Sequence, residues 1–335
     1  MPNPQPNDYA LVIGVEEYPN YKPLKGPVND AERFAAWLTD PNKGGLPEAN
    51  CQVLLNPDFP VGEITMRLSL ILNQIDIARA QGQVPRRFYL YFSGHGHSPR
   101  IDQINLCLKM WSSSTLSRLA LSAPDCWNEM VNCAGFAEVA VFLDCCRVWV
   151  ASAGGMPPGV NCPIPKTSAS GTRFFRAYSS EFLKKSYEDA EADEIYSGFF
   201  TRTLLQALEG GAASSPGEAI TQDALKTYLE AEVPRLSKQE KDVVQQPVVE
   251  ANLNPGAVFG CANLPTDHHL IVQFMPGRTG PVLLVNPDGR ETPCPDWTTD
   301  WQLVLRKGVY LLIDEGVTQT EERVIRLKED THVTF

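Results

Sequence analysis

The sequence predicts an α/β domain with a mostly parallel sheet flanked by helices, followed by a small all-β sandwich. Three observations carry this reading. Continuous apolar runs, the pattern of strands buried on both faces, alternate with segments of helical period in the order βαβαβ through the first part of the chain. Two of these runs end abruptly in polar residues, as strands do where an α/β sheet opens onto its crevice. From about Leu264 the texture changes to short strand-like runs separated by turn residues. The expected organisation is a loose arm over 1–8, the α/β domain over 9–262 and the β domain over 263–335.

Tyr9-Ala10-Leu11-Val12-Ile13-Gly14-Val15 is the first buried strand and is expected near the centre of the sheet. Glu16 to Pro27 is a proline-rich loop, and Asn29 or Asp30 can cap a helix that carries Phe34, Ala35, Trp37 and Leu38. Cys51 to Leu55 is a second strand. Ile64, Leu68, Ile71, Leu72, Ile75 and Ile77 then recur near helical spacing. Arg87 to Ser93 is the third strand, leading into Gly94-His95-Gly96-His97. A short strand within Ile101 to Met110 and helical stretches around Leu116 to Leu121 and Cys126 to Cys133 precede the strand Val139 to Asp144. A Gly-, Pro- and Ser-rich loop over 150–171 follows. Phe174 to Tyr178 is a further strand, and a helix opening at Phe199 is stopped by Gly210-Gly211, with another from about Gln222 to Leu236. In the β domain the strands are Leu270 to Phe274, Val282 to Val285, Trp301 to Leu305, Val309 to Ile313 and Arg323 to Leu327, read as an antiparallel sandwich.

Composition narrows the function. A net charge of −11 argues against a general nucleic-acid surface. No apolar run approaches the ~20 residues that cross a bilayer, and Met1-Pro2-Asn3-Pro4 lacks the features of an export signal, so a cytoplasmic protein with no membrane partner is expected. Nine cysteines, an odd number, favour reduced thiols over a disulfide framework.

His95 and Cys146 follow the ends of two strands, so both can reach one crevice as a Cys-His pair. Residues 9 to about 260 resemble the caspase-like cysteine peptidases, specifically the metacaspase and bacterial orthocaspase branch. The resemblance rests on Leu24-Lys25-Gly26-Pro27-Val28-Asn29-Asp30-Ala31, Tyr91-Phe92-Ser93-Gly94-His95-Gly96, Asp144-Cys145-Cys146 and Gly198-Phe199-Phe200-Thr201, in family order. Cys146 lies 51 residues after His95, close to the caspase spacing of about 50. Arg147-Val148-Trp149 departs from the His-Ser-Gly usual after a metacaspase nucleophile. The resemblance implies a caspase-hemoglobinase fold, Cys146 as nucleophile, His95 as base, and the N–H groups of Gly96 and Cys146 as oxyanion hole. His97 is a second candidate base, set aside because the family's histidine directly precedes Gly96. Cys145 is read as packing.

The bland reading of a lone cysteine is a core thiol, and the bland reading of Asp30 is a helix cap. Gly94-His95-Gly96 after a strand matches a dinucleotide fingerprint only in part, since the third glycine is missing. A zinc site from His95, His97, Cys145 and Cys146 lacks paired ligand spacing. In metacaspases the residues matching Asp30, Ser93 and Asp144 line the pocket for the residue before the cleaved bond, and two carboxylates there suit Arg or Lys. Relatives commonly depend on calcium, but Asp102, Asp125, Glu129 and Glu138 are too sparse for a six-oxygen site, and Asp189, Glu191, Asp193 and Glu194 read as a solvated run, so no cofactor is expected. The expected partners are a protein or peptide substrate and a regulatory protein. Self-cleavage is expected at Lys166, Lys184 or Lys185, with Arg173 and Arg176 protected in a strand. Bacterial relatives occur in defence systems, which implies a self-limiting protease. The rival reading is a catalytically silent adaptor that binds a protein partner.

Overall fold

The computed structural model describes residues 5–112, 119–150, 154–160, 162, 171–191, 195–213, 219–254, 257–259, 268–275, 281–286, 291–296, 298–305, 308–315, 320–327 and 330–334. The chain divides into two compact units, Met1–Leu205 with Leu229–Ala257, and Gln206–Tyr228 with Val258–Phe335.

The first unit is built on β1 (Asp8–Gly14), β2 (Cys51–Leu55), β3 (Arg87–Ser93), β7 (Glu138–Asp144), β8 (Arg173–Tyr178) and β11 (Val248–Ala251), in the sheet order β11-β8-β7-β3-β1-β2. The first five run parallel and β11 closes the edge antiparallel to β8. β3 and β7 hold the centre. β1 stands one place from the edge, although every residue of it is buried. Parallel strands are covered on both faces by the helices of their crossovers, and alternate residues divide accordingly. On one face α1 (Pro27–Thr39) brings Phe34 against Tyr91, with ring centroids 4.5 Å apart, and against Phe142 at 5.5 Å. On the other, Ile64, Leu68, Ile71 and Ile75 of α2 (Pro60–Ala80) and Cys126, Trp127 and Met130 of α3 (Ala123–Ala134) share a core with Leu11, Leu90 and Val141. α3 has clear end signals, since Ser122 Oγ accepts from the Asp125 N–H and Gly135 takes a left-handed φ of 67° past its end.

Register decides where the chemistry can sit. Gly14 lies opposite Ser93, and Ser93 opposite Asp144, so three strand ends finish in one row. Each is followed by a turn out of the sheet. β4 (Gly96–Arg100), β5 (Gln103–Cys107) and β6 (Ala120–Ser122) form a small antiparallel sheet beyond His95, and β9 (Glu188–Ala190) pairs with β10 (Tyr196–Gly198) just before α4 (Phe199–Gln206). α5 (Gln222–Lys241) precedes β11. At the opposite end of the sheet, Arg86 grips Asp8 and Arg87 grips Glu138, with Asp8 and Arg87 fully buried.

Several expectations need correction. Asp8, placed in the loose arm, opens β1 because its carboxylate pairs with Arg86. Ala120 and Leu121, read as helical, are strand residues because they pair with β5. Cys133 and Cys162, with Cα atoms 5.5 Å apart, form a disulfide, while Cys51, Cys107, Cys126, Cys145, Cys146 and Cys294 are free thiols.

The second unit contains β12 (His268–Gln273), β13 (Val282–Val285), β14 (Glu291–Pro293), β15 (Trp301–Leu305), β16 (Gly308–Glu315), β17 (Thr320–Leu327) and β18 (Thr331–Thr334). Two sheets, β15-β12-β18 and β14-β13-β16-β17, share a core of Leu270, Val272, Val282, Leu284, Trp301, Leu312, Ile325 and Leu327. It is not wholly antiparallel, since β12 and β18 pair parallel. No helix among the described residues is long and apolar enough to cross a membrane.

Candidate active site

The row of strand ends opens into a cavity of about 620 Å³ lined by Asp30, Ser93, His95, Gly96, Asp144 and Cys146, among others. The sheet therefore brings together every residue the sequence placed at the site. Asp30 sits in the first turn of α1. It does not cap the helix, whose first residue is Pro27, and its carboxylate turns inward instead. Ser93 Oγ donates to Asp30 Oδ2 at 3.2 Å, Ser197 Oγ to Oδ1 at 2.5 Å and the Gly198 N–H to Oδ2 at 3.0 Å. Asp144 accepts from Ser186 Oγ at 2.7 Å, from Thr201 Oγ1 at 2.8 Å and from the Thr201 N–H at 3.1 Å. Gly198 is required here, because a Cβ at that position would overlap the Asp144 carboxylate. Burial drives both carboxyl groups above the ordinary carboxylate range, and for Asp30 the facing charge of Asp144 adds to it. The hydrogen bonds to both groups act the other way and do not offset that rise.

His95 is held from two sides. Its backbone N–H donates to the Tyr18 hydroxyl at 2.9 Å, and that hydroxyl donates to the Cys107 carbonyl at 3.1 Å. Its Nε2 lies 2.7 Å from the Lys22 carbonyl oxygen. A carbonyl can only accept, so Nε2 carries the hydrogen and Nδ1 of the neutral ring is left as the acceptor. The rings of Tyr18 and Tyr21 pack at 4.7 and 4.9 Å from the imidazole. Burial lowers the pKa of His95, opposed by the bond to Lys22, so the neutral ring is favoured.

Cys146 follows β7 and is half-buried. The Ser186 N–H donates to its sulfur at 3.4 Å, and the thiol reaches the Ser186 carbonyl at 3.7 Å. Burial raises the thiol pKa and Asp144 adds to this, while the Ser186 N–H and Lys185 work the other way. Gly96 lies directly against this residue, since a Cβ there would stand 2.8 Å from the Cys146 carbonyl oxygen and 2.6 Å from Cys145 Sγ. Cys145 itself belongs to the core with Tyr18 and Cys107. The segment 183–186 runs beside Cys146, with Leu183 N–H donating to Arg147 O and Arg147 N–H to Lys184 O, both at 3.0 Å.

Lys184 and Lys185 are exposed, and Lys185 lines the cavity. Lys166, Asp193 and Glu194 lie outside the described residues. Arg173 and Arg176 are in β8. Of the acidic residues considered for calcium, Glu138 pairs with Arg87 and Asp102 faces Arg100, and no cluster of three or more His, Cys, Asp or Glu able to hold a metal occurs among the described residues. Sequence reasoning missed Tyr18, Lys22, Ser186, Ser197 and Thr201. Lys22 and Ser186 meet His95 and Cys146 through backbone atoms, which carry no residue signature. Thr201 could have been found, since it closes the Gly-Phe-Phe-Thr motif.

A family model described as the caspase domain matches residues 7–256. The chain belongs to the caspase-domain peptidase family. Its α/β unit, a parallel-dominated sheet between helices with the site at the strand ends, is the caspase-like fold expected. This caspase-domain chain is 31% identical over 263 residues to a probable protease of a Desulfuromonadales bacterium, a match covering 72% of the chain and 32% of the relative. The chain thus spans about a third of that relative's length. Solved structures similar to it include caspase-1 from Spodoptera frugiperda, at 13% identity and a TM-score of 0.47 over 75% of this chain and 91% of that one. Another is pro-sf-caspase-1, at 14% identity and a TM-score of 0.46 over 75% and 94%.

Proposed function

We propose that this chain is a cysteine endopeptidase that hydrolyses peptide bonds after Arg or Lys, using Cys146 as nucleophile and His95 as base. The observation that carries the reading is the pair of buried carboxylates, Asp30 and Asp144, in the same cavity as an oriented histidine and a thiol. A substrate guanidinium or ammonium entering beside them would supply the counter-charge that neither carboxylate finds in an ion pair among the described residues, and Arg can grip carboxylates in parallel hydrogen bonds. His95 Nδ1 takes the thiol proton, and the sulfur attacks the carbonyl carbon next to that anchored residue. The N–H groups of Gly96 and Cys146 hold the oxyanion. The C–N bond then breaks as the imidazolium returns its proton to the leaving amine, giving a thioester. Water, deprotonated by the same base, releases the acid and restores the thiol. For attack to occur, the sulfur must leave Ser186, so the segment 183–186 has to yield to substrate or to a partner.

The test is covalent labelling with an electrophilic peptidyl-Arg probe. Wild-type protein should be labelled at Cys146 and cleave Arg and Lys peptides, Cys146→Ala and His95→Ala should do neither, and Cys145→Ala should retain most activity. A protein that is folded yet neither labelled nor active with any basic peptide would be the silent adaptor instead.

A further inference from the structure

A proton marks the leaving side of the cleaved bond. In the reaction proposed above, the departing amine takes its proton from His95, so the residue it belongs to must lie against that imidazole. Two tyrosine rings pack on His95. Tyr18 is 4% exposed, with its hydroxyl engaged between the His95 N–H and the Cys107 carbonyl. Tyr21 stands differently. It is 45% exposed, lines the cavity, and sets its ring edge-on at 4.9 Å from His95 and again at 4.9 Å from Trp111. The loop that carries it is closed at its base, where Leu24 N–H donates to Glu16 O at 3.0 Å and Tyr21 N–H to Tyr18 O at 3.1 Å. A large ring is thus held open beside the group that protonates the leaving amine.

A second apolar wall follows the nucleophile. Cys146, Val148 and Val150 line the cavity, whereas Arg147 and Trp149 do not. That alternation is what an extended chain gives, with every second residue on one face. Val148 and Val150 are half-buried, and Val148 is fixed by its bridge to His97 and by the Ser98 N–H, which donates to its carbonyl at 2.9 Å. Along this chain the carboxylate of Asp144 comes two residues before the sulfur and the first valine two residues after it. If the residue before the cleaved bond sits on the carboxylates, the residue after it continues past the sulfur toward the valines and Tyr21.

We propose that Tyr21, with Val148 and Val150, forms the subsite for the residue after the cleaved bond, and that this subsite selects a large apolar side chain, aromatic in preference to aliphatic. This rests on the peptidase reading above. Covering an exposed ring and two half-exposed valines removes apolar surface from water on both partners. An aromatic side chain adds edge-to-face contact with Tyr21. A small side chain leaves the tyrosine wet. The charged neighbour is Lys22, which is exposed at the cavity, and an acidic side chain would have to turn to it and give up the apolar wall.

The experiment uses peptides with Arg fixed before the cleaved bond and Phe, Leu, Ala or Glu after it. For the wild-type protein, kcat/KM should be about tenfold or more higher with Phe than with Ala, with Leu between them. Tyr21→Ala should bring the Phe/Ala ratio toward unity, and Val150→Ser should lower it in part. Disturbance of His95 by the lost ring would slow both peptides alike and leave the ratio standing, so the ratio is the readout. Phe and Ala within twofold in the wild type, a preference for Glu, or a Phe preference that survives Tyr21→Ala would each overturn the proposal. A second measurement does not depend on turnover. In fluorescence anisotropy, the Cys146→Ala protein should bind the Arg-Phe peptide about tenfold more tightly than the Arg-Ala peptide, and adding Tyr21→Ala should remove the difference. That difference in a protein that cleaves no basic peptide would uphold the subsite while refuting the peptidase reading. Equal affinity, or no binding of either peptide, would refute the subsite.

Discussion

Replacing Asp144 by Asn tests the charge of the pocket with little change of shape. Asp144 receives three hydrogen bonds from Ser186 and Thr201 and shares the cavity with Asp30. Removing one partner of a buried charge pair costs about 3–5 kcal/mol, so an enclosed guanidinium should lose about 100- to 4,000-fold in kcat/KM. The assay compares fluorogenic peptides carrying Arg or citrulline, its uncharged isostere, before the cleaved bond. Any effect of the variant on Cys146 reaches both peptides and cancels in their ratio. The wild-type Arg/citrulline ratio should collapse in Asp144→Asn. A ratio that survives, or a wild-type protein that cleaves best after Asp, would refute the argument. Acidity gives a second check. Burial raises both carboxyl groups, with Asp144 adding to the shift at Asp30. Acidification therefore protonates the pair and should lower the wild-type ratio, while the variant's ratio should respond less. The stability sign is opposite. A carboxyl whose folded pKa is raised stabilises at low pH, and that contribution is lost as pH rises through the folded pKa. The empty Asp144→Asn protein should accordingly gain on the wild type, in urea melts, as pH increases.

Tyr18→Phe should cost about 1–3 kcal/mol in urea denaturation, because it strands the His95 N–H and the Cys107 carbonyl, and kcat should fall more than KM rises. Gly198→Ala should abolish cleavage after Arg and destabilise the fold, since the new methyl overlaps the Asp144 carboxylate; Arg cleavage at wild-type rate would contradict this. If the segment beside Cys146 is removed by self-cleavage, intact-mass spectrometry of active protein should find a break after Lys184 or Lys185, absent in the double Lys→Gln variant. An unbroken chain with full activity would assign activation to a partner.

The long strands are legible because a strand buried on both faces must be apolar throughout, and β1, β3 and β7 are. The row formed by Gly14, Ser93 and Asp144 follows from them, and with it the meeting of His95, Cys146, Asp30 and Ser93. The short strands are not legible. β4 reads Gly-His-Ser-Pro-Arg, with no strand propensity, and exists because β5 lies beside it. β6 reads as helix for the same reason. Asp8 looks like arm sequence because its partners, in β3 and just before it, are almost eighty residues distant. The role of Lys22 leaves no mark in the sequence at all, because a carbonyl is common to every residue. In the sequence His97 is only a spare base, and nothing there marks it as a buried ring.

The Asp8–Arg86 and Arg87–Glu138 pairs lie at the end of the sheet away from the cavity. Seven residues of β3, at about 3.3 Å each, put roughly 20 Å between Arg87 and the turn that carries His95. Exchanging a buried ion pair for apolar residues of similar volume is often neutral or stabilising, whereas deleting one partner is costly. The foot of the sheet is thus a place where thermal tolerance can be engineered separately from selectivity, provided that β1, β3 and β7 keep their pairing. Only a slip in that pairing would carry a change at the foot into the chemistry at the top.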